Sequence, residues 1–303
     1  MNTVELREVT KTFGKHVAVD ALSLDVPEGC VYGFIGPNGS GKTTTLRMIM
    51  SIFHPDRGDI RVLGTGGAGA DTDRIGYLPE ERGIYPKMKL REALIFYGDL
   101  KNGRDLPREV DRWLERLDLA DWGDKKIDAL SKGMSQRAQF IAAVVARPEL
   151  IILDEPFGGL DPVGLETLKD AVLDLRKGGA TVIFSTHDMH VAERMCDYIF
   201  MIHRGRKVLD GTLDAIQDQY GQDTVRVRTG DGAEALAGLA GVERINDYGR
   251  LQELRLAPGA DAQAVLAGIL GRTRVESFEL ARPSLHDIFV RIARPETEEV
   301  GHA

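Results

Sequence analysis

GPNGSGKTTT occupies residues 36–45, directly after the apolar run Val31–Ile35 and directly before Leu46, Met48, Ile49 and Met50. A short strand, a glycine-rich loop and the start of a helix, in that order, form the context that a phosphate-binding loop requires. Gly36, Gly39 and Gly41 let the backbone curl so that successive N–H groups converge on phosphate oxygens, with Pro37, Asn38 and Ser40 between them in the same loop. Lys42 is expected to reach the β- and γ-phosphates, Thr43 to offer its hydroxyl to Mg²⁺, and Thr44 to reach a phosphate nearer the sugar, all at the positive end of the helix.

Leu150–Leu153 is a continuous apolar run, the pattern of a parallel strand buried on both faces, and it ends in Asp154 and Glu155. In a doubly wound sheet the ligand lies beyond the carboxyl ends of the strands, so these carboxylates fall beside the bound phosphates. Asp154 is assigned to Mg²⁺, through water, and Glu155 to polarising the attacking water as general base. Thr181–Ser185 reads as another buried strand, and His187 follows it in STHDM, over the same phosphate. A second anion-binding element appears in LSKGMSQR at 130–137. There Ser131 can cap a helix running through Met134, Ala138, Phe140, Ile141, Val144 and Val145, leaving free N–H groups from Gly133 onward. From these residues alone, Ser131 could equally be an N-cap without a ligand.

Taken jointly, these segments resemble the ATP-binding subunit of ABC transporters from Val4 to about Gly211. GPNGSGKTT is similar to the family's Walker A, LSKGM at 130–134 to its signature, LIILDEP at 150–156 to its Walker B, GGLDP at 158–162 to its D-loop, and His187 to its switch histidine. The resemblance implies that ATP is sandwiched in a head-to-tail dimer, with Ser131 and Gly133 of one protomer facing the partner's γ-phosphate and Asp161 at the seam. Phe13 sits where the family stacks an aromatic on adenine; a core phenylalanine is the alternative. Glu80, in GYLPEERGIYP, stands where a glutamine normally contacts metal and water, and is read as a metal-sensing carboxylate. Lys132 and Met134 replace the usual glycine and glutamine of the signature. Members with LSKGM and a glutamate in this loop resemble exporters whose membrane subunit is a separate chain.

The composition fits a protein of the cytoplasmic side. The chain has 303 residues, 43% hydrophobic and 28% charged, enough for one large core and a smaller domain. Cys30 and Cys196 are too few for a disulfide framework, and the formal net charge of −8 argues against a surface that coats nucleic acid. Nothing at the start reads as a signal peptide, and no stretch approaches the roughly 20 apolar residues that span a bilayer. A transport role therefore needs another polypeptide, a transmembrane permease, and places this chain on the cytoplasmic face of the membrane as a homodimer or heterodimer.

The expected architecture is α/β, a P-loop ABC ATPase fold over residues 1–217. It comprises a RecA-like core, antiparallel strands over Val4–Val26, a turn at Gly64–Gly69 and a helical insertion at about 89–148, where Leu90, Ala93, Leu94 and Tyr97 recur at helical spacing. Tyr85, Pro86 and Met88 form a loop that, by resemblance, docks a coupling helix of the membrane partner, or else anchors the core. Ile199–Ile202 and Val208–Leu209 bracket HRGRK as a hairpin with a solvated turn. Residues 218–303 change texture. Strands at Thr224–Arg228, Val242–Asn246, Leu251–Leu256 and Arg274–Leu280, with helical stretches at Ala233–Leu239 and Ala262–Leu270, give the order of a ferredoxin-like α+β domain. A helix over Ser284–Ile292 closes it, for dimer contact, regulation or packing, and the tail at 294–303 is polar. Two rival functions stay open at this level. A soluble ABC-type ATPase acting on ribosomes or DNA usually has paired cassettes or long coiled coils, and a small-molecule phosphotransferase would need no LSKGM.

Overall fold

The computed structural model describes residues 1–66, 72–81, 83–220 and 224–293. Part of the Gly64–Gly69 turn, Arg82 and the 294–303 tail lie outside them. The chain divides into two compact units, Met1–Leu213 and Asp214–Ala303. The division falls slightly ahead of the change of texture at Asp218, because a short helix, Leu213–Gln219, spans that stretch.

In the first unit, β1 (Asn2–Phe13), β2 (His16–Pro27) and β3 (Val31–Ile35) lead into helix α1 (Lys42–Ile49). Then come β4 (Arg57–Val62), β5 (Thr65–Gly66) and β6 (Ile75–Leu78). The helical insertion contains α2 (Leu90–Asp99), α3 (Leu106–Arg116) and α4 (Lys132–Val144). The chain returns through β7 (Leu150–Asp154), α5 (Pro162–Lys177), β8 (Thr181–Thr186), α6 (Met189–Met195), β9 (Tyr198–His203) and β10 (Arg206–Gly211). β1 and β2 pair along nearly their full length in a sheet ordered β2-β1-β4-β5, and the central sheet runs β10-β9-β3-β8-β7-β6.

The central strands β3, β7 and β8 are buried along their whole length because both faces are covered. Their period of two sends alternate residues to opposite layers. Ile151, Leu153, Val182 and Phe184 join the core shared with α2–α5, while Leu150, Ile152 and Ile183 join the core under β1, β2 and α1. The parallel strands β6, β7, β8 and β3 are consecutive neighbours, so their carboxyl ends lie side by side. Segments far apart in sequence thereby reach one edge of the sheet.

The second unit contains α7 (Leu213–Gln219), β11 (Thr224–Thr229), β12 (Val242–Asp247), β13 (Gln252–Leu256), α8 (Ala262–Leu270), β14 (Val275–Ala281) and α9 (Leu285–Ala293). The sheet order β12-β13-β11-β14, antiparallel at every pairing, is that of a ferredoxin-like sandwich. Val225, Val227, Leu254 and Leu256 point to one face, against Leu236, Val265 and Ile269. One expectation is corrected. The first crossover is a short 3₁₀ turn, Gly232–Leu236, because Ala237 turns extended and Gly238 takes φ 67°, which stops the helix expected to reach Leu239.

Candidate functional site

Gly36 leaves β3 where a Cβ would lie 2.2 Å from the Ile202 carbonyl oxygen, and at Gly41, with φ 109°, a Cβ would lie 2.5 Å from that of Ala18. Only glycine permits these approaches. The loop between them is also braced from outside, since Gly205 N–H donates to the Ser40 carbonyl at 2.9 Å while its own carbonyl accepts from Asp20 N–H. The HRGRK turn, expected to be merely solvated, thus fixes the back of the phosphate loop. Lys42 is buried at the first turn of α1, and its Nζ donates to the carbonyls of Gly36 at 2.7 Å and Pro37 at 3.3 Å. Burial pushes its pKa below the usual lysine value, opposed by the charges of Glu155, Asp154 and Glu80.

A cleft of about 420 Å³ opens in front of this loop. Of the residues expected at the site, Asn38, Gly39, Gly41, Lys42, Thr43, Thr44, Phe13, Glu80 and Glu155 line it. Gly36, Pro37 and Ser40 form the rest of the loop. Phe13 is 45% exposed, meets the edge of Phe53 and carries Lys11 Nζ 5.7 Å from its ring centroid, and it lines the cleft as a wall and not as a core residue. His16 and Ala18 also line the cleft, and no pattern in the sequence marked them; the β1–β2 turn, with Phe13 opposite His16, brings them there.

At the end of β7, Asp154 is fully buried, with Oδ1 accepting from Ser185 Oγ at 2.5 Å and Oδ2 without a hydrogen-bond partner. Glu155 follows in a left-handed conformation, φ 50°. Its Oε2 lies 3.0 Å from His187 Nδ1 and its Oε1, 3.7 Å from Lys42 Nζ, has no hydrogen bond. Ser40 Oγ is likewise buried and unpartnered. Buried polar atoms are ordinarily paired, so the unpartnered oxygens of the consecutive residues Asp154 and Glu155, the latter lining the cleft, mark groups reserved for a ligand. This donor set, carboxylate and hydroxyl oxygens beside a lysine and a cradle of amides, fits a triphosphate with a hard divalent cation. Among the described residues no group of three or more His, Cys, Asp or Glu could hold a metal ion by itself.

Ser131, Gly133 and Asp161 are not among the cleft's lining residues. Ser131 caps α4, its Oγ accepting from Met134 N–H at 3.3 Å. Gly133 lies close to Gly159 and Leu160. Asp161 caps α5 by accepting from Gly164 N–H at 2.8 Å, a bond that holds its carboxyl below the usual carboxylate range. The two departures in the signature have structural reasons. Lys132 lays its stem over Gly159, where a Cβ would come within 2.7 Å of Lys132 Cε, and Met134 packs against the core. Gln136, which sequence reading passed over, ties this helix to the carboxylate strand, Nε2 donating to the Pro156 carbonyl at 3.0 Å.

Of the loop at 85–88, Met88 packs on the core while Tyr85 is 55% exposed and sits in an aromatic cluster with Phe96 and Tyr97. Among the described residues no helix is long and apolar enough to cross a membrane.

Comparison with known proteins agrees with this geometry. Residues 19–158 match the family model described as ABC transporter, and residues 211–293 match the ATP-binding protein DrrA1-3-like, C-terminal domain. The chain is 42% identical to the uncharacterized ABC transporter ATP-binding protein YhaQ of Bacillus subtilis over 93% of this chain and 95% of that one. It is 32% identical to the Nod factor export ATP-binding protein I of Burkholderia lata, covering 98% of both. A solved ATP-binding subunit of an ABC transporter superposes with a TM-score of 0.68 at 30% identity, over 72% of this chain and 93% of that one.

Proposed function

This chain belongs to the ABC transporter ATP-binding proteins, which hydrolyse ATP to drive transport, and from that premise we propose that it powers an exporter whose membrane path is a separate permease. The observation that carries the hydrolytic reading is the placement of the Glu155 carboxylate between Lys42 and His187 at the mouth of the phosphate-loop cleft. The export direction is supported by likeness to a Nod factor export protein along the whole length and by the DrrA-like C-terminal segment.

In this reading Lys42 and the loop amides hold the β- and γ-phosphates, Thr44 steadies a phosphate nearer the sugar, and Phe13 stacks on the base. Thr43, Asp154 and Glu80 would hold Mg²⁺, which when bound neutralises charge on the phosphates. Glu155 takes the proton of the attacking water, and His187 orients that carboxylate and meets the γ-phosphate. Ser131 and Gly133 serve the nucleotide of a second ATP-binding subunit, with Asp161 at the seam. Their position outside this chain's own cleft, at a helix start rich in free N–H groups, supports that assignment. Nucleotide then adds contacts present only in the closed dimer, and hydrolysis withdraws them. The exposed Tyr85 cluster is the docking point for the permease, which holds the chain at the cytoplasmic face of the membrane.

Glu155→Gln tests the core of this reading. Turnover is expected to fall by about 10²–10⁴-fold while ATP binding persists and a closed dimer accumulates on size exclusion. Near-normal hydrolysis in that variant would remove the general-base assignment. Co-purification with ribosomes or DNA in place of a hydrophobic subunit would favour the soluble ATPase instead.

A further inference from the structure

β7 and β8 run parallel with Asp154 directly opposite Ser185, two positions before His187. Ser185 is fully buried, and its hydroxyl both donates and accepts a hydrogen bond on the same turn. Oγ donates to Asp154 Oδ1 at 2.5 Å and accepts from Glu155 N–H at 2.9 Å. One side chain therefore grips two consecutive residues, one through its carboxylate and the next through its backbone.

We propose that Ser185 is a positioning residue for ATP hydrolysis, holding the left-handed turn that aims Glu155 and fixing which oxygen of Asp154 stays free. The inference rests on Glu155 acting as the general base, as argued above. A non-glycine residue at φ 50° is strained and persists only where its surroundings over-determine it. The hydrogen bond to Ser185 is the contact made by the Glu155 amide in that turn, and β8 is the rigid element that supplies it. Leaving the strand in this way carries the Glu155 side chain into the cleft, where its two oxygens face His187 and Lys42. Released from Ser185, the turn relaxes toward ordinary extended geometry and the carboxylate loses its aim. The same hydroxyl occupies Oδ1 of Asp154, so that Oδ2 is the oxygen left without a protein partner. A hydroxyl that served only to satisfy a buried strand end would affect stability and leave the chemistry alone.

The test uses the full chain with Ser185→Ala and Ser185→Cys, reading kcat, KM for ATP, the thermal midpoint and hydrogen exchange at the Glu155 amide. In Ser185→Ala we expect kcat to fall about tenfold to a hundredfold, the loss of a charge-linked hydrogen bond expressed in the rate. KM should stay within about threefold, since phosphate contacts are untouched, and the Glu155 amide should exchange at least about tenfold faster. If the alanine variant does not fold, the cysteine variant, near in size but a poor hydrogen-bonding group, carries the same readouts. A folded variant with kcat within about twofold of the parent, or with unchanged Glu155 exchange, overturns the proposal. So does Ser185→Ala slowing the Glu155→Gln protein by its full factor, because residues acting as one unit are not additive. Failure of the general-base reading would appear separately, as turnover retained by Glu155→Gln with Ser185 intact.

Discussion

Acidic residues at two places in the first unit are treated in opposite ways. Glu109, on α3, is 3% exposed, and its two oxygens accept from Arg112 at 2.5 Å, Trp113 Nε1 at 3.0 Å and Arg147 at 2.6 Å. Asp154 and Glu155, at the end of β7, each keep one oxygen without a hydrogen bond. Full satisfaction makes Glu109 a fastening: it ties the turns of α3 to Arg147, with Arg112 and Arg116 lying over the Trp113 ring. Incomplete satisfaction makes the β7 end a place where a ligand supplies what the protein withholds, and the fold bears the desolvation cost until it does. In the second unit buried Glu253 is likewise paired, its Oε1 accepting from Arg226 Nε at 2.8 Å.

The contrast predicts which readout each substitution moves. Beyond the loss of turnover in Glu155→Gln, the largest effect is expected from Lys42→Ala. ATP affinity should fall about a hundredfold by fluorescent-nucleotide titration, near 3 kcal/mol, with the thermal midpoint little changed. A strong loss of stability there would blur the distinction, because Lys42 would then be a fastening too. Glu109→Gln should do the reverse, costing about 1–2 kcal/mol in denaturant unfolding while kcat and KM stay at the parent values. A changed kcat would mean that the Glu109 cluster belongs to the reaction after all. The smallest effect concerns Asp56, whose carboxylate accepts from Thr12 N–H and Oγ1 at 2.7 Å and from Lys11 at 2.9 Å, beside the Phe13 wall. The Thr12 hydroxyl first, then Lys11, lowers its pKa from the ordinary 3.8 to about 2. A depressed carboxylate pKa stabilises the fold above 3.8 and withdraws that support as pH falls toward 2. Asp56→Asn should therefore lower the thermal midpoint slightly at neutral pH, with the difference from the parent closing as pH falls from about 5 to about 2.

Much of the phosphate cleft was legible because its residues lie in short runs whose local chemistry is self-declaring. GPNGSGKTT can be read without neighbours, since glycine spacing and a lysine at a helix start have few other uses. Asp154 and Glu155 were visible because carboxylates closing a continuous apolar strand are out of place as packing. His16, Ala18, Ser185, Gln136 and Gly205 were not legible in this way. Each is a common residue type in an unremarkable local pattern, and its role comes from a partner far along the chain. The 3₁₀ turn at Gly232–Leu236 was missed for the opposite reason, because an alanine-rich stretch favours helix locally until Gly238 ends it.

By itself the sequence determined the alternation of strands and helices, the phosphate loop, the buried carboxylate strand and the succession of elements along the C-terminal unit. These are properties of periods of 2 and 3.6 residues and of glycine's freedom, which act over a few neighbours. Only the tertiary structure decided that β6, β7, β8 and β3 lie edge to edge, that Ser185 stands opposite Asp154, and that Glu155 turns left-handed between Lys42 and His187. Strand order and register are set by the summed packing of two cores on either side of one sheet, and that sum is not a property of any local stretch.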